Sequence, residues 1–199
     1  MMSMTPLREI TAAARAGLTG NWGRAIGTCL VYILLLQSVG QIPLIFYLIV
    51  GPLSIGLSVF FLNVMSGVPR FPQLFDGFRI FWKATGTYLL INLFLLLWTL
   101  LFIIPGIIKA YSYSQTFFIL ANDSSVGIRE AITRSREFMD GNKFRLFLLQ
   151  WRFFGWAFLC VLTLGIGFIW LLPYMQASFA AFYHDLLSSK VEEQEAFPV

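Results

Sequence analysis

All Lys and Arg residues except Lys109 fall in four parts of the chain, and long apolar segments separate these parts. The four basic parts are the N-terminus, residues 66–83, residues 123–152 and the C-terminal tail. Each intervening apolar segment is long enough to cross a bilayer and return, so the four basic parts share one side of a membrane. Cytoplasmic loops retain Lys and Arg. We therefore expect a multi-pass protein whose N- and C-termini are both cytoplasmic.

The composition places this chain in a lipid environment. Hydrophobic residues make up 58% of the 199 residues and charged residues only 12%, and the mean hydropathy is +0.75. A soluble globule of this size needs more polar surface. The net charge of +4 is small. Because the basic residues flank apolar segments, we expect anionic lipid headgroups on the cytoplasmic side as partners, and no nucleic acid.

The apolar sequence divides into pairs of helices. A helix needs about 20 apolar residues to span the hydrocarbon core, and three nearly uncharged breaks lie at 37–41, 104–106 and 165–167. These patterns predict an all-α, polytopic transmembrane bundle of about six helices, arranged as three hairpins. The predicted helices are about 23–39, 43–65, 85–104, 106–121, 147–164 and 167–187.

The same pattern predicts the domain organisation. Residues 23–187 form a single membrane domain, with cytoplasmic loops at 66–84 and 122–146. An amphipathic cytoplasmic segment, residues 1–22, precedes this domain, and a cytoplasmic tail, residues 188–199, follows it.

One alternative stays open for the first apolar segment. Three arginines precede an apolar run that ends in small residues, which is also typical of a secretory signal. Cleavage there would leave five helices.

The chain shows signs of internal duplication. Each predicted hairpin follows a short amphipathic segment that ends near a glycine, at Gly20, Gly77 and Gly141. A glycine at such a place suits a left-handed helix cap. A shift of 61 residues superimposes several residues of the later hairpins: Gly106 on Gly167, Tyr113 on Tyr174, Gln115 on Gln176 and Phe118 on Phe179. The pattern indicates a repeated hairpin unit, although apolar sequences also align with one another by chance.

The amphipathic segments are expected to lie as interfacial helices in the plane of the lipid headgroups. In the third segment Ile128, Ile132, Ser135 and Met139 share one helical face. Packing against other helices is the simpler alternative. The basic residues of this region are candidate contacts to anionic lipids: Arg129, Arg134, Arg136, Lys143 and Arg145.

Polar residues inside the apolar segments are a second set of candidates, because an ionisable side chain in lipid is costly. We expect the Lys109 side chain to extend to the outer surface. Arg152 can reach the cytoplasmic headgroups or pair with a phosphate. Interhelical hydrogen bonds or a polar conduit would account for the uncharged members of the set: Tyr113, Gln115, Tyr174 and Gln176.

The sequence offers little catalytic chemistry. Its single histidine, His184, is next to Asp185, and no motif supplies a nucleophile for a general base. The sequence has no phosphate-binding glycine loop, no metalloprotease motif and no metal-type cysteine spacing. We expect no catalysis, no cofactor and no metal ion.

The C-terminal half carries a series of short motifs in a fixed order. They are IPGIIK at 104–109, GNK at 141–143, TLGIG at 163–167, PY at 173–174 and FY at 182–183. From the third predicted helix onward the chain resembles a bacterial membrane family catalogued as domain of unknown function 975. The N-terminal part agrees more loosely, and Arg152 departs from a position that the family more often fills with a small polar residue.

This resemblance implies a polytopic protein of the bacterial cytoplasmic (inner) membrane, with no established substrate or catalytic residue. We expect a non-catalytic accessory or scaffold protein that acts through lipid contacts, through another membrane protein or as a homo-oligomer. One rival is a small-molecule permease or channel subunit, with a water-accessible path past the Tyr and Gln residues. The other is a membrane-bound enzyme that uses His184 and Asp185.

Overall fold

The protein is helical throughout the described part of the chain. The computed structural model describes residues 5–101 and 103–196, and no strand occurs within these ranges. The prediction of an all-α fold is confirmed. The elements are α1 (Leu7–Leu18), α2 (Trp22–Val39), α3 (Pro43–Met65), a 3₁₀ segment (Phe71–Ile80), α4 (Phe81–Leu101), α5 (Ile103–Tyr113), α6 (Thr116–Asn122), α7 (Ile128–Phe138), α8 (Lys143–Leu162) and α9 (Phe168–Ala196).

Within the described ranges, four helical segments are long and apolar enough to cross a membrane: Trp22–Val39, Pro43–Met65, Phe71–Leu100 and Lys143–Leu162. This fits a membrane protein. The third of these segments joins the 3₁₀ segment to α4, so much of the predicted loop 66–84 is helical.

The remaining two predicted membrane helices differ in form from the expectation. The predicted fourth helix is divided into α5 and α6, and the sixth continues as α9 to Ala196, through most of the predicted tail. At the division, the Gln115 backbone N–H donates to Ser135 Oγ over 3.2 Å, and the Ser135 hydroxyl donates to the Ser112 carbonyl over 2.9 Å. Ser135 thus replaces helical hydrogen bonds that the interruption removes.

Helix α3 is at the centre of the fold. It contacts α1, α2, α4, α6, α9 and the 3₁₀ segment. Of its most apolar stretch, 56% is buried inside the protein, against 17% to 22% for the other three candidate spans. A helix that packs against so many neighbours can be apolar all round, because protein covers much of its surface.

The 3₁₀ segment lies directly against α3 because glycines allow their backbones to touch. A Cβ atom at Gly56 would overlap the backbone of Leu74, and one at Gly77 would overlap the carbonyl of Pro52. Gly77 is therefore required by close packing. The predicted left-handed cap at this position is wrong.

The other two repeat glycines do have the predicted conformation. Gly20 has φ of 81° and Gly141 has φ of 74°, and they follow α1 and α7. Here the left-handed conformation turns the chain toward the next apolar helix.

The amphipathic segments pack against other helices. Helix α1 lies along α9, the 3₁₀ segment along α3, and α7 against α4, α5 and α6. The apolar faces of α1 and α7 are covered by protein: Ile10, Ala14 and Leu18 of α1 are buried, as are Ala131 and Ile132 of α7. The packing alternative therefore describes the apolar faces of α1 and α7.

Contacts repeat along the chain as the sequence does. A Cβ atom at Gly106 would lie 2.6 Å from Thr99 Oγ1, and one at Gly167 would lie 2.6 Å from Cys160 Sγ. Both members of the second pair are 61 residues beyond those of the first. The two units therefore share an equivalent packing contact. This supports a duplication, because a chance alignment of apolar sequences would not bring equivalent residues into contact.

A longer shift, of 121 residues, relates the first unit to the third. The guanidinium group of Arg24 donates to Asn21 Oδ1 over 3.1 Å, and that of Arg145 donates to Asn142 Oδ1 over 3.0 Å. In both units the asparagine directly follows the left-handed glycine and precedes an apolar helix.

Candidate functional site

The structure places five of the six predicted intramembrane residues in three cavities. Gln115 and Gln176 line a cavity between the central helices, which we term the central cavity. Arg152 and Tyr174 line a second cavity on α1. Lys109 lies in a third cavity, beside α7.

The central cavity has a volume of about 240 Å³ and an internal symmetry. Its lining includes two sets of residues at successive steps of 61 positions. One set is Ser54, Gln115 and Gln176, and the other is Leu57, Phe118 and Phe179. Three successive helical units therefore place equivalent side chains around one space, which is the strongest structural sign that the unit is triplicated.

Polar groups in the central cavity are incompletely paired. Gln115 is 1% exposed, its Nε2 donates to Ser114 Oγ over 3.2 Å, and its Oε1 has no partner among the described residues. The Tyr111 hydroxyl donates to Gln150 Oε1 over 2.6 Å. An unpaired buried oxygen is costly unless a water molecule or a ligand donates to it.

Sequence reasoning missed Ser54 and Gln150 in this cavity. Extending the 61-residue shift backwards from Gln115 would have found Ser54. Tyr113 was predicted to join the Gln residues but is 6% exposed and packs beside Ile91 and Phe94.

The second cavity, of about 380 Å³, brings three arginines together, and we term it the arginine cavity. Arg8 and Arg15 come from α1 and Arg152 from α8, with Tyr174 of α9 beside them. The Tyr174 hydroxyl donates to the Thr11 carbonyl over 3.4 Å. This contact holds α1 against α9 at the wall of the cavity.

Aromatic contacts fix the Tyr174 ring in this position. The Arg15 guanidinium carbon lies 5.7 Å from the ring centroid, within the range of a cation–π interaction. Phe153 packs edge-on against the ring at a centroid distance of 5.3 Å. The ring therefore orients one of the three arginines.

No carboxylate lines the arginine cavity in the part of the chain that the structure describes. Ion pairs of Arg8, Arg15 or Arg152 with carboxylates are likewise absent among the side chains that the structure describes, those of residues 5–100 and 103–191. In the sequence these arginines belong to separate basic regions, and only the fold brings them together.

The third cavity provides an internal comparison. It has a volume of about 320 Å³ and lies on α7, the 121-residue equivalent of α1. Arg136 corresponds to Arg15, but Glu137 and Asp140 stand where α1 has Ala16 and Thr19. These two carboxylates offset part of the positive charge of Lys109, Arg136 and Lys143 in the third cavity, and the equivalent positions on α1 carry no carboxylate.

Carboxylates also engage several of the predicted lipid contacts. Each of these pairs reduces the positive charge available to a lipid phosphate. The pairs are Arg134 with Glu130 at 2.7 Å, Lys143 with Asp140 at 4.0 Å and Arg145 with Asp185 at 2.8 Å. Arg129 is exposed on α7.

An apolar cavity adjoins the arginine cavity and shares Arg15 and Tyr174 with it. We term it the tryptophan slot; its volume is about 420 Å³. Helix α2 and the α8–α9 region supply its walls. The apolar side chains of the lining are Trp22, Trp156, Leu159, Cys160, Trp170 and Leu171.

The position of Lys109 conflicts with the expected topology. Its ammonium group lies 4.7 Å from the centroid of the Trp98 ring, and Lys109 shares a cavity with Glu137 and Asp140. We expected Lys109 at the outer surface and residues 122–146 in the cytoplasm. The two expectations exclude each other, because Lys109 lies in one cavity with residues of the predicted loop 122–146.

His184 and Asp185, adjacent in sequence, have different surroundings. The Asp185 carboxylate accepts from Arg145 over 2.8 Å. His184 Nε2 is buried and has no hydrogen-bond partner among the described residues. The carboxylate thus forms a salt bridge between α8 and α9.

Comparison with known proteins then establishes the family. The model of the family described as "Protein of unknown function (DUF975)" matches residues 2–112 and 100–190. The chain belongs to this family. The predicted resemblance is confirmed over both halves of the chain, and the molecular activity of the DUF975 family is unknown. No curated protein and no solved structure matches.

Proposed function

We propose that this DUF975 protein is a non-catalytic accessory or scaffold protein that binds anionic lipid phosphates. The observation that carries the proposal is the convergence of Arg8, Arg15 and Arg152 on one cavity that no carboxylate lines among the described side chains. Guanidinium groups bind phosphate through paired, charge-assisted hydrogen bonds. A bound phosphate would also reduce the repulsion among the three cations.

The proposed setting is the bacterial cytoplasmic membrane, crossed by six helices as three hairpins. Exposed aliphatic side chains at the three breaks support this arrangement, because lipid is the solvent that tolerates them. Exposed examples at each break are Leu34 and Leu44, Leu100 and Ile104, and Leu162 and Leu164. In this arrangement α5 and α6 together form the fourth crossing and the apolar part of α9 forms the sixth.

Both termini are proposed to be cytoplasmic, since the basic residues cluster at the termini and in the two predicted loops. Reporter fusions at Gly40, Gly106 and Ile166 test this topology. We expect periplasmic signals at Gly40 and Ile166. Gly106 is three residues before Lys109, which shares a cavity with Glu137 and Asp140, so the signal at Gly106 decides which of the two incompatible expectations holds for this part of the chain. Cytosolic signals at all three positions would refute the proposed orientation.

The lipid proposal is tested by native mass spectrometry of protein purified in mild detergent. Replacing Arg8, Arg15 and Arg152 together with Gln should remove most co-purified anionic lipid. Equal retention by the triple variant and the wild type would contradict the proposal.

A matched control uses three other arginines. The triple Gln variant of Arg129, Arg134 and Arg136 changes the net charge equally but leaves the arginine cavity intact. We expect this control to retain its lipid, which would separate a localised site from general electrostatic attraction.

A permease or channel is the second candidate function, and the central cavity favours it. Polar side chains from three successive units surround one space within the bundle. The test places single cysteines at Gln150 and Gln176 in a variant without Cys29 and Cys160, and applies a membrane-impermeant thiol reagent. A path is supported if each cysteine reacts from one side of the membrane and the two sites together show labelling from both sides. If neither cysteine is labelled from either side, the result counts against a path.

A further inference from the structure

We propose that the arginine cavity and the tryptophan slot together hold one lipid molecule, with a terminal phosphate monoester as its headgroup and a hydrocarbon chain in the slot. This inference rests on the proposed function, which supplies the site for the phosphate. It goes further because it identifies the class of lipid and the path of its chain.

The continuity of the two cavities carries the first step. They share Arg15 and Tyr174, so a polar space and an apolar space meet at two side chains. Tyr174 suits such a junction, because it lines both cavities and combines an apolar ring with a hydroxyl that is bonded to the α1 backbone. An amphiphile has the same division between a charged end and an apolar chain.

The charge of the arginine cavity indicates a monoester. A phosphate monoester carries about −1.5 to −2 charges near pH 7 and has three free oxygens. A phosphodiester headgroup carries a single negative charge and has two. Three arginines without a carboxylate match the more highly charged group, and the carboxylate-containing cavity on α7 does not.

The lining of the slot indicates a chain. Arg15 is the one charged residue that lines it among the described residues, and it stands at the end shared with the arginine cavity. Trp22 and Trp156 present large flat surfaces in the remaining space. In a membrane the surrounding lipid is as apolar as the slot, so a chain gains no hydrophobic free energy by entering it. Van der Waals packing against the walls of the slot is what favours binding of the chain.

A soluble phosphate would leave the slot without its occupant. Free phosphate and glycerol 3-phosphate supply the same charge but no chain, so they would occupy only the arginine cavity. The proposal therefore commits to a lipid, and the experiment includes the soluble compound as a competitor.

The first experiment is a competition followed by native mass spectrometry. Delipidated protein in detergent receives equimolar phosphatidic acid and phosphatidylglycerol with identical acyl chains. We expect about tenfold greater retention of phosphatidic acid, the size of effect that one additional charge-assisted interaction gives. Glycerol 3-phosphate at the same concentration as the lipid should not displace it. Displacement by glycerol 3-phosphate at concentrations equal to those of the lipid would refute the role of the slot.

Two variants assign the ends of the lipid. Arg152→Gln should abolish the preference for phosphatidic acid over phosphatidylglycerol. Leu159→Trp should lower retention of phosphatidic acid by filling the slot, while the control Leu34→Trp, at an equally lipid-exposed leucine, should not. Unchanged retention in Leu159→Trp would place the chain outside the slot.

Fluorescence gives an independent measurement. Phosphatidic acid with a brominated chain should quench wild-type tryptophan fluorescence more strongly than it quenches the Trp156→Phe/Trp170→Phe variant. Equal quenching of both proteins would overturn the placement of the chain.

The outcomes distinguish this inference from the function on which it rests. Equal retention of the two lipids, still lost in the triple arginine variant, would refute the monoester site and preserve anionic lipid binding. Retention that does not depend on the arginines would refute both.

Discussion

Arg145 of α8 donates to the carboxylate of Asp185 of α9 over 2.8 Å, and both side chains are largely buried. The same guanidinium group donates to the Thr5 carbonyl over 2.8 Å and to Asn142 Oδ1 over 3.0 Å. One side chain therefore joins the start of the chain to its last two long helices. This cation is satisfied by the fold itself, unlike those of the arginine cavity.

Replacing Asp185 with Asn should destabilise the protein. The variant leaves a largely buried guanidinium group without its anion, and we expect a loss of about 2 kcal/mol, the usual size for a hydrogen bond to a charged group. Thermal unfolding in detergent measures it. Glu130→Gln breaks the exposed pair with Arg134 and should cost less than about 1 kcal/mol. Equal effects of the two changes would contradict the structural role of Asp185.

A methyl group at Gly77 should be poorly tolerated. It would overlap the Pro52 carbonyl and force the 3₁₀ segment away from α3, so we expect Gly77→Ala to cost about 3 kcal/mol or more. Gly23→Ala is the matched control, because a Cβ atom there meets nothing within 4 Å. Yield of monodisperse protein and the unfolding temperature measure both changes, and a fully stable Gly77→Ala would refute the close approach.

The sequence predicted the helical class, the apolar segments and the spacing of the repeat, because each depends on local periodicity and composition. It did not predict the division between α5 and α6. That division depends on Ser135, a distant residue that supplies the replacement hydrogen bonds. Gly77 illustrates the same limit. A glycine is required at this position because the Pro52 carbonyl leaves no room for a Cβ atom, and not because the backbone is left-handed.

The candidate sites were predicted only in part, for a related reason. Polar residues in apolar segments are conspicuous in a sequence, so Arg152 and Gln115 were found. Arg8 and Arg15 belong to the basic N-terminal region, and the expected membrane topology alone explains why arginines occur there. Their meeting with Arg152 depends on α1 lying along α9, a long-range packing that no local pattern encodes.

Gly106 and Gly167 are related by the 61-residue shift, and their equivalent contacts predict similar energetic coupling in the two units. Gly106→Ala would meet Thr99, and Gly167→Ala would meet Cys160. Removing the opposing atoms with Thr99→Ala or Cys160→Ala should recover about 1 kcal/mol of the loss in each case, since contacting residues are not additive. Double-mutant cycles of thermal stability measure the coupling. Coupling in one unit and none in the other would argue against a repeated packing arrangement.

Ser135→Ala should loosen the interruption between α5 and α6. The change removes the acceptor for the Gln115 backbone N–H and the donor to the Ser112 carbonyl, so we expect a loss of about 1 to 3 kcal/mol. Hydrogen exchange should accelerate at residues 112–116, next to the central cavity. Thr133→Ala, on the same helix, removes a hydroxyl that bonds only its own helix at Arg129 and should leave that exchange unchanged. Unaltered exchange in Ser135→Ala would show that the interruption is stable without this side chain.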